Sequence, residues 1–276
     1  MTVGLILTAF TLSLNAQIDL GETIKEKGSF FYKEYHTKIK IVHTVEYYNK
    51  LKVISKSGDL LLLPGSDDNI TVEADVVITS MSEKWQKRFI DKYMNLGFEE
   101  GNDKLVFRGD FSEQKVNGFH RFSYLMRHIG TPGLKINLKI FVPHHLYVSI
   151  IDGSGDLIVK NLSNGIKIVD GAGSIHVESI SGRVKVNDDS GNITIKNIMS
   201  NGELIVKDES GDIHAESIHG NISIYDGSGS IYLKDVVGLV DIVDGSGDIR
   251  AEVRDGRVNV KSDGSGSKHI TYYSGN

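Results

Sequence analysis

Asp152-Gly-Ser-Gly-Asp-Leu-Ile-Val159 holds the phrase that decides the fold, because its first four residues return along the rest of the chain. The copies are Asp170-Gly-Ala-Gly173, Asp188-Asp-Ser-Gly191, Asp208-Glu-Ser-Gly211, Asp226-Gly-Ser-Gly229, Asp244-Gly-Ser-Gly247 and Asp263-Gly-Ser-Gly266. Their last glycines, Gly155, Gly173, Gly191, Gly211, Gly229, Gly247 and Gly266, are 18, 18, 20, 18, 18 and 19 residues apart. Self-similarity at so short a period marks a solenoid, in which each repeat buries its apolar face by stacking on the next.

A second glycine, at Gly165, Gly182, Gly202, Gly220, Gly238 and Gly256, divides each repeat into two arms. Both arms alternate. Ile175 with Val177 and Ile193 with Ile195 are apolar pairs of first arms, and Ile166 with Ile168 and Val184 with Val186 are pairs of second arms. A third apolar point, Leu162, Ile180, Ile198, Ile218, Val236 or Val253, precedes the mid-repeat glycine. A period of two puts these residues on one face of each strand. The pattern therefore predicts an all-β fold, a parallel β-solenoid of β-helix or β-roll type with two short strands and two turns per coil.

Stacked strands lie about 4.8 Å apart, so residues one repeat apart should form columns. One outward column reads Lys160, Glu178, Lys196, Glu216, Lys234, Glu252, an alternating-charge ladder that avoids stacking like charges. A second reads His176, Thr194, His214, Tyr232, Arg250. Its two histidines are two coils apart, about 9.5 Å, too far to share a zinc ion. A solvated face is the plainer reading.

The turn aspartates Asp152, Asp170, Asp188, Asp208, Asp226, Asp244 and Asp263 form a third column. Neighbouring carboxylates repel by about 1 kcal/mol in water and by more where screening is poor, so something must compensate. A cation such as Ca²⁺ is one answer, which makes these residues weak metal candidates. The favoured answer is an Asx turn, with each Asp accepting hydrogen bonds from its own turn's N–H groups and glycine taking the positive-φ positions. The calcium-binding nonapeptide repeat is a poor match, because its Asp position holds the core residues Leu157, Ile175 and Ile193 here.

Composition narrows the rest. In 276 residues there are 30 glycines, 3 prolines and no cysteine, with a net charge of −5 and a pI near 6.1. Nucleic acid and anionic membranes are poor partners for such a chain, and thiolate or disulfide chemistry is excluded. No catalytic motif, cofactor motif or cofactor is expected. Residues 1–16, with the apolar run Val3 to Leu14, read as a signal peptide cleaved after Ala16, so export is expected. Residues 17–150 read as a β-rich segment with strands at Thr37–Tyr48, Leu51–Leu63, Ile70–Thr79, Lys104–Arg108, Phe119–Leu125 and Lys135–Val142. Ser57-Gly-Asp-Leu60 repeats the later phrase, so a first coil begins there, and an insertion follows. That insertion carries a helix over about 82–96, with the stripe Trp85, Phe89, Ile90 and Tyr93 and a stop at Gly97. Residues 151–276 are the regular repeats.

Lys135-Ile-Asn-Leu-Lys-Ile-Phe-Val-Pro143, running into Val148 and the repeats, resembles a bacterial family of β-solenoid proteins known as "putative adhesins". The resemblance covers about Leu51 to the C-terminus. It implies an extracytoplasmic, non-catalytic scaffold that meets a protein or glycan at the cell envelope, and it brings no catalytic residues. End-to-end self-assembly is an alternative, opposed by Lys268 where the seventh copy should have a core aliphatic. A polysaccharide-active enzyme using the Asp column is a lesser one.

Overall fold

The computed structural model describes residues 16–26, 33–45, 47–66, 68–80, 90–101, 103–111 and 134–274. In chain order the first strands are β1 (Ala16–Glu26), β2 (Lys33–Thr44), β3 (Lys50–Ser55), β4 (Leu60–Pro64), β5 (Asn69–Ser80) and β6 (Met94–Glu100). Next come β7 (Leu105–Phe111), β8 (Leu134–Val142), β9 (Tyr147–Ile151), β10 (Leu157–Lys160), β11 (Ile166–Asp170), β12 (Ile175–Ser181) and β13 (Val184–Asp188). The last are β14 (Ile193–Asp208), β15 (Ile213–Asp226), β16 (Ile231–Val237), β17 (Leu239–Asp244), β18 (Ile249–Arg254), β19 (Arg257–Asp263) and β20 (Lys268–Tyr273).

The alternation of each arm becomes two parallel faces. On the first, Leu157 lies beside Ile175, then Ile193, Ile213, Ile231 and Ile249. On the second, Ile166 lies beside Val184, then Leu204, Ile222, Val240 and Val258. The strands β14 and β15 each turn a corner and so serve both faces. Between the faces runs one apolar core in which Ile193, Ile195, Ile198, Leu204 and Val206 are wholly buried. This is the parallel β-solenoid that the repeat predicts.

Two special backbone positions make the corners. Asn161, Ser179, Asn197, Ser217 and Asp235, each just after an outer-ladder residue, have φ of 53–57°. The left-handed residue lets Val159 and Leu162, an odd number of residues apart, both face the core. At the other corner the glycines pile up. A Cβ on Gly191 would meet the Gly173 carbonyl oxygen at 1.8 Å, and Gly191 has φ +134°. No other residue fits there.

Coil order in space departs from coil order in the chain. β3 pairs with both β7 and β9, and β4 with both β8 and β10, all in parallel. The Lys50–Pro64 coil is therefore second in the stack, and the chain returns through β7 and β8 to build the coil before it. Antiparallel strands cover that end: β5 lies on β8, β2 on β5, β1 on β2, and β6 on β7. They occupy the backbone groups that an open edge would expose.

The helix is shorter at its C-terminal end than the sequence suggests. Residues 90–93 are helical, but Met94–Glu100 is strand β6, antiparallel to β7. Leu96 and Phe98 alternate into the core, and that period of two prevails over a fourth helical turn. The helical stretch before residue 90, the segment 1–15 and the Phe119–Leu125 strand lie outside the described residues. Among the described residues no helix is long and apolar enough to cross a membrane.

Candidate binding surface and the buried Asp column

On the outer face of the first sheet, Ile158, His176, Thr194, His214, Tyr232 and Arg250 occupy successive rungs. The Lys160-to-Glu252 column runs beside them in the same register. Lys160 Nζ is 2.8 Å from Glu178, and Lys196 and Lys234 each reach Glu216 at 3.3 Å. Bonds from Lys160 and His176 hold the Glu178 carboxyl below its ordinary range, and bonds from Lys196 and Lys234 do the same for Glu216. The His214 and Tyr232 rings stack at 4.7 Å with an interplanar angle of 11°. Between the two columns runs an open groove of about 600 Å³ whose walls include Thr194, Lys196, His214, Tyr232, Lys234 and Arg250. It crosses the rungs and therefore follows the rod axis. His214 stacks on Tyr232, and His176 turns to Glu178 at 3.2 Å. Among the described residues no protein group converges with either His in the way a metal needs.

The Asp column is inside the rod. Asp170, Asp188, Asp208, Asp226, Asp244 and Asp263 pair rung to rung, and Asp152 follows directly on the Ile151–Val169 pair. Its parity is that of the core: Ile166, Ile168 and Asp170 all point inward. Asp152 to Asp244 are only 1–6% exposed. The Asx-turn bonds form at some rungs. Asp170 Oδ1 accepts the Gly171 N–H at 2.8 Å, and Asp208 Oδ1 accepts the Ser210 N–H at 3.1 Å. At Asp152, Asp188, Asp226 and Asp244 neither carboxyl oxygen has a partner at full hydrogen-bond distance and angle, although N–H groups of each one's own turn lie close enough to oppose the upward shift. Burial, opposed at Asp152 by the Ser55 hydroxyl and reinforced at Asp188 and Asp226 by adjacent aspartates, pushes these three carboxyls up to about 7. Burial also raises Asp170, Asp208 and Asp244. At the far end Lys268, in register with Ile249, reaches Asp263 at 2.8 Å. Among the described residues no group of three or more His, Asp or Glu side chains has the arrangement of a metal site.

No family model matches the chain, and no curated protein matches it. It is similar to several solved structures. One is described as a putative adhesin from Parabacteroides distasonis ATCC 8503, at 15% identity and a TM-score of 0.43, with 84% of this chain and 97% of that chain covered. Another is a putative adhesin from Bacteroides fragilis NCTC 9343, at 12% identity and 0.42, covering 86% and 95%. A third, a putative lipid binding protein from Parabacteroides distasonis ATCC 8503, gives 12% and 0.45, covering 95% and 98%. At such distance the likeness carries no functional argument, and the architecture rests on the strand registers above.

Proposed function

We propose that this chain is a non-catalytic, extracytoplasmic interaction scaffold of adhesin type, which meets a protein or glycan partner on the outer face of its first sheet. The observation that carries the reading is the axial groove between the His176–Arg250 and Lys160–Glu252 columns. Rigid parallel strands fix its side chains at one spacing, and it offers an aromatic surface at Tyr232 beside charged groups of both signs. Its walls are single side chains on short rungs, so it is a surface for a long partner and not a cleft that encloses a reacting bond. Lys268, an exposed cation in register with the core residue Ile249 and held by Asp263, puts a charge on that rung and counts against growth by end-to-end stacking.

The test is retention of envelope components and glycan-array binding by the full chain, compared with a Tyr232→Ala/Arg250→Ala variant. Both changes lie on the outer side of their strands and leave the core intact. Saturable binding that the variant loses supports the reading. Binding that survives the variant unchanged, or turnover of any glycan on the array, overturns it.

A further inference from the structure

The feature least like an ordinary core is the Asp column. Carboxyl groups stand one strand spacing apart, about 4.8 Å, where water does not reach them. The titratable groups that bear on them are mostly further acids: Asp59 at Asp152, Asp189 at Asp170, and Glu209 and Asp212 at Asp208. Lys268 is the one cation on the column among the described residues, and it serves only the last rungs, Asp244 and Asp263. A run of buried charges of one sign is not tolerated, and such groups neutralise instead.

The hydrogen bonds distinguish the rungs. Asp170 and Asp208 each accept a backbone N–H and suit an ionised carboxylate. Asp152, Asp188, Asp226 and Asp244 have both oxygens unpartnered, and Asp170 and Asp208 each keep Oδ2 unpartnered. Beside Asp152 the column ends in Ser55, whose buried hydroxyl faces that carboxyl and opposes its upward shift. From Asp152 to Asp226 the fully unpartnered carboxyls alternate with those that hold one N–H bond, and the alternation stops at Asp244. A carboxyl that takes up a proton becomes a donor, and the carboxylates on the rungs above and below offer it acceptors within the column.

We propose that the inward Asp column is a proton-binding ladder, in which Asp152, Asp188 and Asp226 take protons from solvent and donate hydrogen bonds to the carboxylates of adjacent coils, Asp170 and Asp208. Its ligand is the proton alone, one per alternate coil. The native state thus holds protons that the unfolded chain releases. A carboxyl raised above its unfolded value gives stability that is full below the unfolded range, near 3.8, and is lost as the pH rises through about 7.

The test uses the full chain. Infrared spectroscopy at pH 6 should show the band of buried protonated carboxyls in the folded protein, and that band should vanish on unfolding at the same pH. Asp188→Asn and Asp226→Asn, which keep the shape and supply a permanent donor, should each weaken it. In wild-type protein the folding equilibrium should weaken about tenfold per pH unit for each proton released between pH 5 and pH 7. Each Asn variant should reduce that slope. A folded protein without the band, a band untouched by both substitutions, or stability that is flat or rising from pH 5 to pH 7 overturns the proposal. So does a divalent cation that co-purifies with the chain and whose removal by chelator lowers the unfolding midpoint.

Discussion

Glu216 and Asp208 both stand on rungs of the same rod with a charged or ionisable side chain above and below. Glu216 lies in water between Lys196 and Lys234, and its carboxyl is held below the ordinary range. Asp208 lies in the core between Asp188 and Asp226, and its carboxyl is pushed up. The strand spacing is the same, so the solvent and the sign of the neighbour decide the outcome. A solenoid amplifies whatever its repeat carries. Outside, the repeat alternates sign from rung to rung and needs nothing more. Inside, the repeat keeps the same acid at every rung, so only hydrogen bonding and the proposed protonation can offset the repulsion.

The most drastic way to break this comparison is to place a carboxylate in the core away from the column. Ile195 is wholly buried on the strand that bears Lys196, and it packs between Val177 and Ala215. In Ile195→Asp the new acid has no rung of acids to share a proton with and no backbone N–H aimed at it. The expected cost is about 4 kcal/mol or more, seen as loss of the cooperative urea transition of this part of the array. If Ile195→Asp were as stable as Asp188→Asn, the column would have no special character.

A smaller effect is expected at the corner that sets the column's spacing. Gly191→Ala asks a side chain to take φ +134° and to sit against the Gly173 carbonyl oxygen. About 3 kcal/mol is expected from strain and the forced shift together, read from urea denaturation. The shift separates Asp188 from its neighbours, so the variant should also lose part of the pH dependence between pH 5 and pH 7. An unchanged pH slope would separate corner from column.

Much of this molecule was legible in its sequence, and what was not has physical reasons. The eighteen-residue period and the alternation of Ile193 and Ile195 give the coil, the core and the outer ladder, because each depends only on local parity. The inward direction of Asp170 was equally available, two residues after Ile168 and four after Ile166, but Asp-Gly-Ala-Gly also has the composition of an exposed turn, and that signal masks the parity. Asn161, Ser179 and Asn197 gave no warning of their left-handed corners, since a polar residue between two apolar ones also suits a plain strand. The place of Lys50–Pro64 as second coil is a matter of non-local pairing, which no local pattern records. The helix reading runs on to about residue 96 because the apolar stripe ends only at Tyr93, one residue before strand Met94–Glu100 and its alternation of Leu96 and Phe98 take over.

pH sharpens the contrast between the columns without any substitution. The outer carboxylates Glu178 and Glu216 are held below their ordinary range, so their contribution is present above it and fades as the pH falls through the folded values. The inner carboxyls have the opposite sign, and each proton lost from the column costs about 1.4 kcal/mol per pH unit up to about 7. The unfolding midpoint measured from pH 3 to pH 8 should therefore rise on the acid side, peak near the unfolded carboxyl range, and fall toward neutrality. A midpoint that climbs steadily to pH 7 would leave only the outer ladder in play.

The smallest change belongs to the outer ladder itself. Glu216→Gln removes the anion between Lys196 and Lys234 and leaves two lysines with a neutral amide between them. Both lysines and the glutamate are well exposed, so water and salt already screen most of their attraction, and the freed side chains regain rotamer freedom. The midpoint should barely move, and the small difference from wild type should disappear in high salt. Asp208→Asn, one column inward, should respond to pH and stay indifferent to salt, because no mobile ions reach a buried carboxyl. If the two variants showed the same salt dependence, the inner column would be in contact with solvent, and the difference between the two ladders would be one of degree alone.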